Sequence, residues 1–278
     1  MTISIQDVRD TALLSNTARA WALENLEYLN KPMRLFGSSQ KVEKGKDKRD
    51  TYIMYLQPAG KVSAKTLCLG AEAAGCEKPC LISSGQLGMS TGQRAATKRT
   101  ILFLLRPNEF KATLLSEIDK AERRARKTGI SALFRLNGTS DIDWTTLIIA
   151  ERPQSEFYDY TKVLSLVRKS ATINNYHVTY SASMYSTQSK AALRKAVERG
   201  HNIAVAFNTK GLDSDNVYIP WGMASFDTTD LRPLDIDGTI GYLKRKGSNK
   251  AQRATEGSQS FFVTRHNVHE FNNIIARG

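Results

Sequence analysis

The chain has 278 residues, 41% of them hydrophobic and 24% charged, a composition that excludes wholesale disorder and supports a sizeable core. Lys and Arg number 40 against 27 acids, so the net charge of +13 favours association with polyanions, nucleic acid above all. No apolar run approaches the roughly 20 residues that a bilayer crossing needs. The acidic, weakly apolar start does not read as a signal peptide, and three cysteines, an odd number, argue against a disulfide framework. The expectation is a reducing, cytoplasmic setting.

Residues 5–28 carry a loose apolar stripe at helical spacing, Val8, Leu13, Trp21, Leu23, Leu26 and Tyr28, and Pro32 ends it. Residues 41–49, KVEKGKDKR, read as a basic loop or hairpin tip before a strand over 51–57. A long glycine-rich loop follows and holds all three cysteines. Residues 91–105 return to helical pattern and Pro107 breaks it; Asn108 is a candidate cap for the next helix. Along that helix Phe110, Leu114, Ile118, Ala121 and Ala125 recur on one face, and Gly129 is a natural stop. Its ERRARK tail, residues 122–127, suits the negative end of the helix dipole.

The rest alternates. Short apolar strands are predicted at 132–136, 157–160, 176–180, 203–207 and 239–243, with helices at 163–169 and 188–199, the latter ending at Gly200. Strands alternating with helices mean an α/β fold with a mainly parallel sheet, a complete or partial (β/α) barrel, preceded by an N-terminal helical extension. The expected organisation is a single α/β domain over 1–278. It comprises an N-terminal helix and basic hairpin or loop over 1–50, a barrel-like core over 51–263 and a tail over 264–278.

Polar residues follow each strand, and parallel strands present their carboxyl ends on one side, where sites are built. Arg135, Asn137, Asp141, Asp159, Lys162, His177, Ser181, Asn208 and Lys244 are therefore candidates for a common cleft. Of these, Asp141, Asp159, His177, Arg135, Asn137 and Lys162 are the catalytic candidates. A carboxylate near Arg135 stays ionised and can act as base or nucleophile, and His177 can move a proton. The plainer alternatives are a polar turn closed by Asp141 and a histidine satisfied within a strand. The aromatic–cation run Phe157-Tyr158-Asp159-Tyr160-Thr161-Lys162 suits stacking on bases and pairing with phosphate, or simply strand core. Cationic candidates for nucleic acid are the segments 41–49, 94–99, 123–127 and 244–253, in particular Lys98, Arg99, Arg123, Arg124, Lys244, Arg245 and Lys246. Cys68, Cys76 and Cys80 form a C-x7-C-x3-C cluster that suits an iron–sulfur centre, or zinc with His177, His266 or His269 as fourth ligand. Three small buried side chains explain it equally well.

The ordered motifs CLGAEAAGCEKPC, FRLNGTSDIDW, FYDYTK, NNYHVTYSAS, GHNIAVAF and DLRPLDIDGTIGYLKRKG, from about Cys68 to Val263, resemble a family of phage and plasmid proteins distantly similar to the mycobacteriophage gene-88-product family. Those relatives look more like SGDF where this chain has TSDI. The resemblance implies a phage or mobile-element origin and a barrel-like α/β fold, and leaves activity open. The leading expectation is a nucleic-acid- or nucleotide-directed metalloenzyme; the cysteine loop, lying between strand and helix, also admits S-adenosylmethionine. A base-exchange or glycosyl-type transferase using Asp141, and a non-enzymatic basic protein that binds nucleic acid or a host partner around a structural metal, are the alternatives.

Overall fold

In the computed structural model the described residues are 2–37, 49–208, 220, 222–245 and 259–276. They contain eight strands: β1 (Phe36–Gly37), β2 (Arg49–Met54), β3 (Ser131–Arg135), β4 (Glu156–Thr161), β5 (Tyr176–Ser181), β6 (Ile203–Phe207), β7 (Ala224–Ser225) and β8 (Ile240–Lys244). Their sheet order is β1-β2-β3-β4-β5-β6-β8-β7. β1 runs antiparallel to β2, whereas β2–β3, β3–β4, β5–β6, β6–β8 and β7–β8 pair in parallel. The mainly parallel α/β class expected from the alternating pattern is the class observed. The chain divides into two compact units, Met1–Cys68 with Gln86–Phe157, and Leu69–Gly85 with Tyr158–Gly278.

In the first unit the N-terminal apolar stripe forms three short helices rather than one: α1 (Ile5–Asp10), α2 (Asn16–Glu24) and α3 (Leu26–Asn30). A second serine cap marks the first break. Ser4 and Asp7 close a capping box, and Ser15 caps a fresh start by accepting from the Ala18 N–H at 3.2 Å. Two longer helices follow the cysteine loop, α5 (Ser90–Leu105) and α6 (Pro107–Thr128); the short α4 (Ala71–Ala74) in that loop belongs to the second unit. Pro107 occupies the first turn of α6, where its missing N–H costs nothing, so it starts the helix and Asn108 is not the cap. Phe110, Leu114, Ile118 and Ala121 are the buried face of α6, and Gly129, at φ 68°, ends it. The core is aromatic: Phe134 of β3 lies 5.5 Å from Tyr52, 5.6 Å from Phe36 and 5.6 Å from Phe157 between ring centroids.

The second unit packs α7 (Leu164–Ser170), α8 (Thr187–Glu198) and α9 (Val268–Ile275) against alternate residues of its strands. Tyr180, Ile203, Val205 and Phe207 share one buried cluster with Leu193, Ala196, Phe271 and Ile274. That period of two fixes which side every other residue of β5 and β6 takes. α9 falls in the expected tail. No helix of the described residues is long and apolar enough to cross a membrane.

Candidate functional site

In the first unit, the turn after β3 is organised by one amide. Asn137 Oδ1 accepts from Ser140 Oγ at 2.9 Å, from the Ile142 N–H at 3.0 Å and from Trp144 Nε1 at 3.1 Å, while Nδ2 donates to the Ile142 carbonyl at 2.9 Å. The loop is then tied to the segment after β2. The Gly138 N–H donates to Met54 O, Thr139 Oγ1 to Leu56 O and the Asp141 N–H to Leu67 O, and Cys68 Sγ lies 3.4 Å from Thr139 O. An added Cβ at Gly138 would stand 2.5 Å from Met54 O, so only glycine admits this approach. Asn137, Thr139, Ser140 and Asp141 are all buried. Asn137 is therefore the scaffold of a turn rather than a group facing a ligand. Arg135, the last residue of β3, is half-buried beside it in sequence.

In the second unit, strand parity sorts the candidates. Asp159 is fully buried and accepts from Tyr176 Oη at 3.1 Å. Tyr176 shares the side of β5 that holds Tyr180, so Asp159 faces that side too, and His177 and Ser181 face the other. Asp159 and His177 are thus on opposite faces of the sheet, which removes Asp159 from any site that uses His177. On the His177 side, Tyr158 and Tyr160 both donate to Asp230, at 3.2 Å and 2.9 Å. Lys162, just beyond β4, donates to Ser181 Oγ at 2.7 Å, and its ammonium lies 4.5 Å from the centroid of Phe261. Gly70 lets this happen, since a Cβ there would meet Lys162 Cβ at 2.6 Å.

Beside this lysine, at the carboxyl end of β4 and β5, a cavity of about 220 Å³ is lined by Glu72, Gly75, Glu77, Lys78, Tyr185 and Phe261, among others. The Tyr185 ring covers Gly75 so closely that a Cβ would lie 2.4 Å from it. Ser183 Oγ and Ser186 Oγ bond the carbonyls of Ala74 and Ala73, which fastens the glycine-rich loop to the end of β5. Chemically the arrangement offers two ammonium groups, Lys162 and Lys78, with two aromatic rings and two carboxylates. The rule that parallel strands build sites at their carboxyl ends pointed to Lys162 and Ser181. Tyr185, Phe261 and Asp230 were missed because they lie outside the predicted strands and helices, where no period marks them.

The model of the gene product 88 family matches residues 26–260. The chain belongs to that family. The match starts well before the motifs quoted above and takes in α3, β2 and both stretches of site residues up to Ser260. No curated protein and no solved structure matches the chain.

The remaining candidates of this gene product 88 family member have other roles or places. Cys68 falls in the first unit and Cys76 and Cys80 in the second, all three partly exposed thiols outside any disulfide. Among the described residues no group of three or more His, Cys, Asp or Glu side chains is placed to hold a metal ion. His266 and His269 are exposed. Lys98 is buried, with Nζ donating to the carbonyls of Tyr28 and Lys31 at the end of α3, and burial pushes its pKa down. Arg99 Nε bonds the Arg34 carbonyl, and burial lowers its pKa as well. Arg245 is buried and donates to Asn208 Oδ1 at 2.7 Å. Lys98 and Arg245 are internal fasteners turned away from solvent, whereas Arg99 is half-buried. Lys244 is exposed, with its N–H on Asp227 Oδ2. Arg123 and Arg124 are exposed on α6. Lys246 and most of the segments 41–49 and 244–253 lie outside the described residues.

Proposed function

We propose that the second unit binds a nucleotide-class ligand at the carboxyl ends of β4 and β5. The observation that carries this reading is Lys162: its ammonium is held against Ser181 and over the Phe261 ring, and that same ring lines a cavity together with Tyr185. Aromatic rings accept a base by stacking, which is worth about 1–3 kcal/mol per base. A fixed ammonium meets the phosphate, and Glu72 and Glu77 accept from sugar hydroxyls or exocyclic amines. The cavity is small on the scale of about 300–1,000 Å³ typical of drug-sized sites, which suits a mononucleotide better than a bulky cofactor. The charge balance supports the same partner class.

Titration calorimetry and thermal unfolding with the four nucleoside monophosphates, their nucleosides and inorganic phosphate test this. Binding should raise unfolding free energy by about 2.7 kcal/mol at a ligand concentration of 100 times Kd. Lys162→Met should weaken nucleotides and leave nucleosides nearly unchanged, whereas Phe261→Ala should weaken both. Absence of heat and of any thermal shift with every ligand, or equal affinities in Lys162→Met and the parent, overturns the reading.

A further inference from the structure

We propose that a cationic stripe on α6, formed by Lys120, Arg123, Arg124 and Lys127, binds the phosphate backbone of nucleic acid. It belongs to the first unit and does not rest on the nucleotide reading of the second. The four residues recur at i, i+3, i+4 and i+7, so they share one face of the last two helical turns, clear of the buried stripe of Phe110, Leu114, Ile118 and Ala121. All four are exposed, and Arg126 flanks them.

The helix dipole accounts for cations in the last turn, where Arg126 and Lys127 lie. It does not account for stacking Lys120 on Arg124 and Arg123 on Lys127, since like charges at i, i+4 cost a few tenths of a kcal/mol each. Nor do the two acids in the turn before the stripe neutralise it. Glu117 accepts the N–H groups of Leu35 and Phe36, and Asp119 holds Arg152 by two hydrogen bonds at 2.8 Å and 3.0 Å. Among the described residues Lys120, Arg123 and Lys127 form no ion pair, and Arg124 has only Asp50 at 3.7 Å, both side chains well exposed. Such a surface pair contributes little and exchanges readily for a phosphate.

The stripe runs about 10.5 Å from Lys120 to Lys127 at 1.5 Å per residue. That matches roughly three phosphates of one strand at about 3.4 Å of axial rise each. A membrane surface is the poorer fit. Interfacial helices bury an apolar face beside their cations, and among the described residues the exposed large hydrophobic side chains include none on α6.

Fluorescence anisotropy with the full chain, a labelled duplex and its single strand, titrated from about 50 to about 200 mM salt, decides the matter. Binding should weaken steeply with salt. Arg123→Ala with Lys127→Ala should flatten the log–log salt slope by about 1.8 on duplex or about 1.4 on single strand. Lys61→Ala with Lys65→Ala, which removes two exposed charges elsewhere, should leave the slope as it was. Circular dichroism melting of each variant shows that the fold is kept. No binding at about 50 mM salt, an unchanged slope in the α6 variant, an equal change in the control, or tighter binding to anionic vesicles than to either nucleic acid overturns the proposal.

Discussion

Replacing Asn137 with alanine asks whether this residue acts on a ligand or holds the turn after β3. In the native chain its amide makes four hydrogen bonds inside a buried loop. Alanine strands the Trp144 indole N–H and the Ile142 N–H and carbonyl, while Ser140 Oγ can rotate to another acceptor. A buried polar group left without a partner costs about 1–3 kcal/mol. Two such donors and a carbonyl, softened by partial collapse of the loop, amount to about 3–5 kcal/mol. That is a large share of a typical stability of about 5–15 kcal/mol. Urea unfolding followed by far-UV circular dichroism measures it as a lowered midpoint at an unchanged slope. A loss below about 1 kcal/mol would refute the scaffold argument, because the orphaned donors would then have found other partners.

Two further outcomes follow from charges. The Arg106 guanidinium, aided by Ser4, holds Asp7 down to about 2 from its ordinary 3.8. Its folded pKa is thus below the unfolded one, so the stabilisation is whole above about 3.8 and is lost as pH falls towards about 2; the urea midpoint should drop across that window in the parent and stay flatter in Asp7→Asn. Lys98→Ala should cost about 2 kcal/mol by leaving two carbonyls unserved. It should leave the salt dependence of nucleic-acid binding untouched, since this buried lysine faces no solvent; a flattened salt slope would contradict that assignment.

Periodicity carried most of the fold. A five-residue apolar run such as 203–207 has few ways to be buried other than as a strand of a parallel sheet, and α6 announces itself by Phe110, Leu114, Ile118 and Ala121. β1 and β7, of two residues each, are too short for any period to show. The site was less legible. Strand-end polarity found Lys162, but polarity alone does not separate Asp159, which the pleat turns towards Tyr176, from His177 two positions into the next strand. Charge clusters likewise hide their opposites: Lys98 and Arg245 read as surface cations and are buried fasteners, whereas Arg123 and Arg124 are exposed. Only three-dimensional partners separate the two kinds.

The same limit makes glycine the last informative position. Gly70 has φ −90° and ψ 0°, a conformation open to any residue, so its backbone does not require glycine. What requires it is Lys162, whose Cβ would lie 2.6 Å from an added methyl group. Because the clash is near the lysine backbone and not at its flexible end, Lys162 must shift bodily, and its ammonium must leave Ser181 and the Phe261 ring. Overpacking of this kind costs about 1–3 kcal/mol. Gly70→Ala should therefore weaken nucleotides as Lys162→Met does, with a modest fall in melting temperature. Gly85→Ala is the matched comparison. It sits at φ 54° with nothing within 4 Å of the new Cβ, so it carries backbone strain without contact and should lose stability while keeping affinity. Calorimetry on both variants separates position from stability. If Gly70→Ala binds nucleotide as the parent does, the placement of Lys162 has no bearing on the ligand.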